Sequence, residues 1–77
     1  MTPLDKMLPG QKGKVVEFED SDSPIIRRLM ELGMVPGRYV KYIRKAPLRD
    51  PLVVQIEGSY LSLRNAEASL VKVEVEN

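Results

Sequence analysis

The chain has no cysteine, no histidine and no tryptophan in 77 residues. Without thiols there is no disulfide framework of the kind that staples small secreted domains, which favours a reducing, cytosolic setting. Without histidine or cysteine, the usual general base near neutral pH and the most reactive nucleophile are both missing. The serines have no histidine partner, and the five glycines stand singly rather than in a phosphate-cradling loop. A transition-metal site would have to be built from carboxylates alone, which suit harder cations. The chain therefore reads as a non-enzyme with no cofactor and no metal centre. No apolar run approaches the ~20 residues that span a bilayer, and no charged segment leads into an apolar one at the N-terminus as in a signal peptide. Direct membrane insertion is not expected. Aromatics are limited to Phe18, Tyr39, Tyr42 and Tyr60, too few for a platform that stacks single-stranded nucleic acid.

What remains is a soluble composition, 43% hydrophobic and 30% charged, with a net charge of +1. A chain of this length is one domain, spanning 1–77, and buries only ~60% of the surface its unfolded form exposes. The opening Thr2–Met7 reads as a helical turn capped by Thr2, with Pro3 at the first helical position and Leu4, Met7 and Leu8 facing inward. Gly13–Glu19 is the first strand, with Val16 and Phe18 on one face. Ser23–Pro24 starts a short helix whose inward stripe is Ile25, Leu29 and Leu32. Gly33 stops it, which predicts a positive φ there, with Met34 folding back on the last turn and Pro36 blocking continuation.

The second strand, Arg38–Ala46, places Val40 and Tyr42 on one face, and Ile43 breaks the alternation as a bulge would. Pro51–Glu57 follows with Leu52, Val54 and Ile56 inward. A turn at Gly58–Ser59 leads to a short strand, Tyr60–Leu63. Asn65 caps a helical turn, and Leu70–Val75 closes the chain as a half-buried strand. Five short strands with one small helix between the first and second, and edges that need hiding, point to a mainly β fold closed as a small barrel.

Two features go beyond folding. Arg38, Lys41, Arg44, Lys45 and Arg49 form a basic run with no acid among them. It reads as a nucleic-acid face, as steering towards an acidic protein patch, or as ordinary polar strand faces. The acidic residues Glu17, Glu19, Asp20 and Asp22 read as a solvated loop, with weak cation binding the alternative. The loop Ala46–Pro51 is more specific: two prolines stiffen it, and Leu48 occupies its tip where no strand pattern requires an apolar residue. Leu48 is either a contact for a partner or a plug over one end of the barrel.

The blocks "LDKMLPGQKGKVVEFE", "RRLMELGMVPG" (27–37), "APLRDP" (46–51) and "GSYLSLRNAEASLVKV" (58–73) together resemble the FeoA family of small cytosolic proteins associated with ferrous iron transport. Where that family often carries glycine after the apolar loop residue, this chain has Arg49. The resemblance implies an SH3-like barrel, a cytoplasmic location, no nucleic acid, and a protein partner: FeoB, the membrane ferrous-iron permease, on its cytosolic side. The alternatives are a nucleic-acid-binding or iron-responsive regulatory module that uses the basic second strand. The candidate partner-binding residues are Pro47, Leu48 and Arg49 in the loop, with Arg28 and Met34 in the helix block.

Overall fold

A computed structural model describes residues 1–76. Six strands form one antiparallel sheet: β1 (Thr2–Pro3), β2 (Lys12–Phe18), β3 (Tyr39–Lys45), β4 (Leu52–Ile56), β5 (Ser59–Leu63) and β6 (Val71–Glu76), in the spatial order β1-β6-β2-β3-β4-β5. A helix α1 (Pro24–Glu31) follows β2, and a single turn α2 (Asn65–Ala68) joins β5 to β6. Inward residues of β2 and β6 (Val15, Val71, Val73) and of β4 and β5 (Leu52, Val54, Leu63) belong to one buried cluster, so the sheet curls around a single core. The fold is mainly β, as the strand pattern predicts, but no ladder among the described residues joins β1 to β5, so the curled sheet keeps two edges. Among the described residues no helix is long and apolar enough to cross a membrane.

The sixth strand comes from the N-terminus. Thr2 and Pro3 pair with Val73 and Lys72 of β6 instead of opening a helix. Proline is tolerated there because an edge strand can leave its missing N–H unpaired. Only Leu4–Lys6 turns helically, as a 3₁₀ turn with Pro3 rather than Thr2 at its cap. Residues three apart eclipse in that geometry, so Leu4 and Met7 are buried together and Leu8 is left 63% exposed.

In β2 it is Val15, not Val16, that faces the core. The register against β6 shifts between Val15 and Glu17, and the extra residue brings Phe18 back against the core while Val16 stays outside. The bulge expected at Ile43 is present: Tyr42 pairs with Val54 and Arg44 with Val53, leaving Ile43 unmatched.

Helix α1 starts as its sequence dictates, with Ser23 Oγ accepting a hydrogen bond from the Ile25 N–H at 3.2 Å and proline at the first position. Its buried face is Ile26 and Leu29; Ile25 and Leu32 are 40% and 48% exposed. Helical spacing alone cannot choose between Ile25 and Ile26. The helix end does, because Gly33 has φ +103° and turns the chain so that Met34 enters the core beside Leu29. The Met34 N–H donates to Leu29 O and the Gly33 N–H to Met30 O, both at 3.0 Å, the two bonds of a Schellman motif.

The β4–β5 hairpin turns at Glu57–Gly58, one residue earlier than expected. Both residues have positive φ, 50° and 83°, as a two-residue type I′ turn requires.

Candidate functional site

The Ala46–Pro51 loop is a built structure. The Ala46 N–H donates to Pro51 O at 2.9 Å and the Arg49 N–H to Ala46 O at 2.7 Å, so Pro47 and Leu48 form the middle of a hydrogen-bonded turn. Arg49 sits at φ +68° and the Asp50–Pro51 peptide is cis. Helix α2 straps the loop from behind. Asn65 donates its backbone N–H to Asp50 Oδ1 at 2.9 Å and its side-chain Nδ2 to Arg49 O at 2.7 Å. Asn65 is therefore not the cap of α2, a position held by Arg64, but its first residue.

The strap continues into α1. Arg64 lies 3.7 Å from Asp50 as an ion pair and donates its backbone N–H to Glu67 Oε1 at 2.9 Å. The other Glu67 oxygen accepts from Arg28 at 2.5 Å. A chain of polar contacts thus runs from Arg28 through Glu67, Arg64, Asp50 and Asn65 to the loop backbone. The sequence pattern marked Asn65 only as a cap and passed over Asp50, Arg64 and Glu67; the one local signal was the polar block "RNAE" after an apolar strand.

Leu48 is 90% exposed, so it plugs nothing. Beside it opens a groove of about 590 Å³ with an apolar side from Leu8, Pro9 and Pro47 and a basic side from Arg44, Lys45 and Arg49. Tyr42 lies fully buried below the groove, with a hydroxyl that has no hydrogen-bond partner among the described residues. Burial, and secondarily the nearby Asp5 carboxylate, hold its phenol above the ordinary pKa of about 10.

The five candidate contacts do not form one surface. Pro47, Leu48 and Arg49 are contiguous and exposed. Arg28 is half-exposed at the far end of the polar chain. Met34 is fully buried, because the Schellman turn that ends α1 drives its side chain into the core, and it presents nothing to a partner.

The basic run also divides. Arg44, Lys45 and Arg49 flank the groove just described. Arg38 and Lys41 line a second one, about 690 Å³, with Lys12, Tyr39 and Glu57. There Arg38 pairs with Glu57, and Lys12 sits 4.7 Å from the centre of the Tyr39 ring. Among the described residues no three or more His, Cys, Asp or Glu side chains gather in a way that could hold a metal ion.

The family model for the FeoA domain matches residues 2–75. The chain belongs to the FeoA family. A curated relative from Porphyromonas gingivalis, an Fe(2+) transport protein A/Fe(2+) transporter FeoB fusion protein, is 37% identical to this FeoA chain over 72 residues. That match covers 94% of this chain and only 8% of the relative. The solution structure of iron(II) transport protein A from Clostridium thermocellum is 34% identical with a TM-score of 0.89, covering 96% of this chain and 45% of that one. A FeoA from Stenotrophomonas maltophilia, solved with zinc and described as a prokaryotic SH3 domain protein, is 32% identical with a TM-score of 0.85, covering 96% and 91%. Manganese-dependent transcriptional repressors share the FeoA fold at 18% and 19% identity, a likeness of architecture alone.

Proposed function

We propose that this chain is a non-catalytic accessory of ferrous iron transport that works from the cytoplasm by docking on the cytosolic side of a FeoB-type permease. The family supports the iron-transport role, and the P. gingivalis relative, whose description joins both components in one chain, supports the choice of partner. The docking element is the Ala46–Pro51 loop with the groove beside it. The observation that carries this reading is Leu48, 90% exposed on a loop that Asn65 ties down with two hydrogen bonds. An apolar tip held rigidly in water costs the fold something and returns nothing until a partner covers it. Pro47 holds the tip's direction. Arg49, with Arg44 and Lys45, supplies positive charge that steers an acidic-rimmed apolar pocket on the partner. Arg28 acts as a positioning residue through Glu67, and Met34 acts through the fold.

The test pairs stability with affinity on one variant. Leu48→Ala removes exposed methyl groups, so its melting temperature should match wild type. Its affinity for the separated cytosolic domain of the cognate permease should fall by about 1–2 kcal/mol, roughly 5- to 30-fold. Arg49→Ala should slow association at low salt and converge on wild type at high salt. Unchanged affinity for Leu48→Ala would overturn the docking role.

A further inference from the structure

Among the described residues β5 lies at one end of the sheet, paired only with β4. The type I′ turn fixes which of its backbone groups face outward. Ile56 and Ser59 flank the turn and must form a hydrogen-bonded pair, and pairs then alternate along an antiparallel ladder. Ser59, Leu61 and Leu63 therefore bond to β4, while the N–H and C=O groups of Tyr60 and Ser62 point away from it. None of these four groups finds a backbone or side-chain partner among the described residues. Tyr60 is 67% exposed and Ser62 is exposed as well.

Edge strands are normally blunted by lysine, proline, inward charge or extreme shortness. The opposite end of the sheet follows that rule, since β1 is two residues long and includes Pro3. β5, with the sequence Ser-Tyr-Leu-Ser-Leu, carries none of these devices.

We infer that β5 is a self-association edge, at which two copies of this chain pair β5 to β5 antiparallel about a two-fold axis. One register satisfies every outward group. Tyr60 of each copy faces Ser62 of the other as a hydrogen-bonded pair, giving four bonds, and Leu61 meets its own counterpart at the centre as a non-bonded pair with close side chains. Leu61 already packs against the core from its half-buried position, so the central contact extends the apolar interior across the axis. The flanking charges favour the same register. It sets Arg64 of one copy against Gly58 of the other, beside Glu57. Arg64 is 72% exposed and held only loosely by Asp50 at 3.7 Å, while Glu57, already paired with Arg38 in its own copy, is 63% exposed and keeps a carboxylate oxygen open to a second cation. Each dimer thus gains two cross-strand pairs of opposite sign. A heterologous strand would have no reason to match these end charges, which is why a second copy is the occupant.

Sedimentation velocity over a concentration series into the millimolar range tests this on the full chain. Wild type should shift from monomer to dimer, with the amide exchange of Tyr60 and Ser62 slowing in step and that of Leu61 unchanged. Ser62→Pro removes an N–H that β4 does not use, so the protein should fold and remain monomeric. Arg64→Glu should weaken dimerisation several-fold, and Glu57→Arg added to it should restore it, a rescue that no contact within one copy would produce. A monomer at every concentration, a dimer unaffected by Ser62→Pro, or Tyr60 and Ser62 amides whose exchange ignores concentration would each overturn the inference.

Discussion

Gly33→Ala isolates the cost of backbone conformation from the cost of space. A Cβ built on Gly33 meets one atom within 4 Å, Ile56 Cγ2 at 3.8 Å, which is ordinary van der Waals contact. Sterics against the rest of the protein therefore contribute little. The backbone does not give way so easily. At φ +103° an L-residue lies in left-handed space, which costs roughly 1–2 kcal/mol. Relaxing the backbone instead would break the Gly33–Met30 and Met34–Leu29 hydrogen bonds and pull a fully buried Met34 outward, which costs at least as much. Either route gives about 1–2 kcal/mol. For a domain of this size each kcal/mol moves the melting temperature by about 4–8 °C, so calorimetry should show a fall of about 4–16 °C. Gly33→Asn should lose less, because asparagine tolerates left-handed backbone better than alanine. A Gly33→Ala variant that melts with wild type would refute the account of how α1 ends.

Three further outcomes follow from the loop and the core. Asn65→Ala should lose about 1 kcal/mol with the bond to Arg49 O, and nuclear relaxation should show the Leu48 amide becoming more mobile; unchanged relaxation would mean the prolines alone hold the loop. Arg49→Gly should raise the melting temperature by a few degrees, worth up to about 1 kcal/mol, because it relieves φ +68° at a residue exposed to water. Tyr42 carries a pKa raised by burial, so its contribution to stability is fully present below pH ~10 and is lost as pH rises through the higher folded value. Tyr42→Phe should therefore be at least as stable near neutrality, having no unpaired hydroxyl to bury, and should lose less stability above pH 10; identical alkaline denaturation profiles would refute this.

Legibility in the sequence followed locality. The stop at Gly33, the proline start of α1 and the bulge at Ile43 are all written in a few neighbouring residues, and each is where the sequence places it. The facing of Val15 over Val16 was not legible, because the bulge that sets it belongs to the pairing with β6, more than fifty residues away. The same holds for β1, since a two-residue strand has no periodicity and exists only because β6 is beside it. Ile26 displaced Ile25 because Met34, outside the helix, took part of the buried stripe. At the site, the prolines and the out-of-pattern leucine exposed the loop as special. The strap from Asn65 joins residues 15 and 16 apart, a separation that no local motif reports. The basic run looked continuous along the chain, but the curl of the sheet sends its two halves into different grooves.

The strap decides what kind of loop this is. A connector between β3 and β4 needs only to reverse the chain, and two residues suffice for that. Here the reversal uses Pro47, two backbone hydrogen bonds, two bonds from Asn65 and an ion pair from Arg64, all to hold six residues whose tip faces water. On the docking reading proposed above, such ordering lowers the loop entropy that binding must remove, so more of the contact energy of Leu48 would become affinity. It also makes the loop answer to residues outside the loop itself. Arg28 grips Glu67, Glu67 caps α2, and α2 carries Asn65. Loosening Arg28 should thus weaken docking through loop order alone, leaving the charge steering by Arg49 and its salt dependence intact.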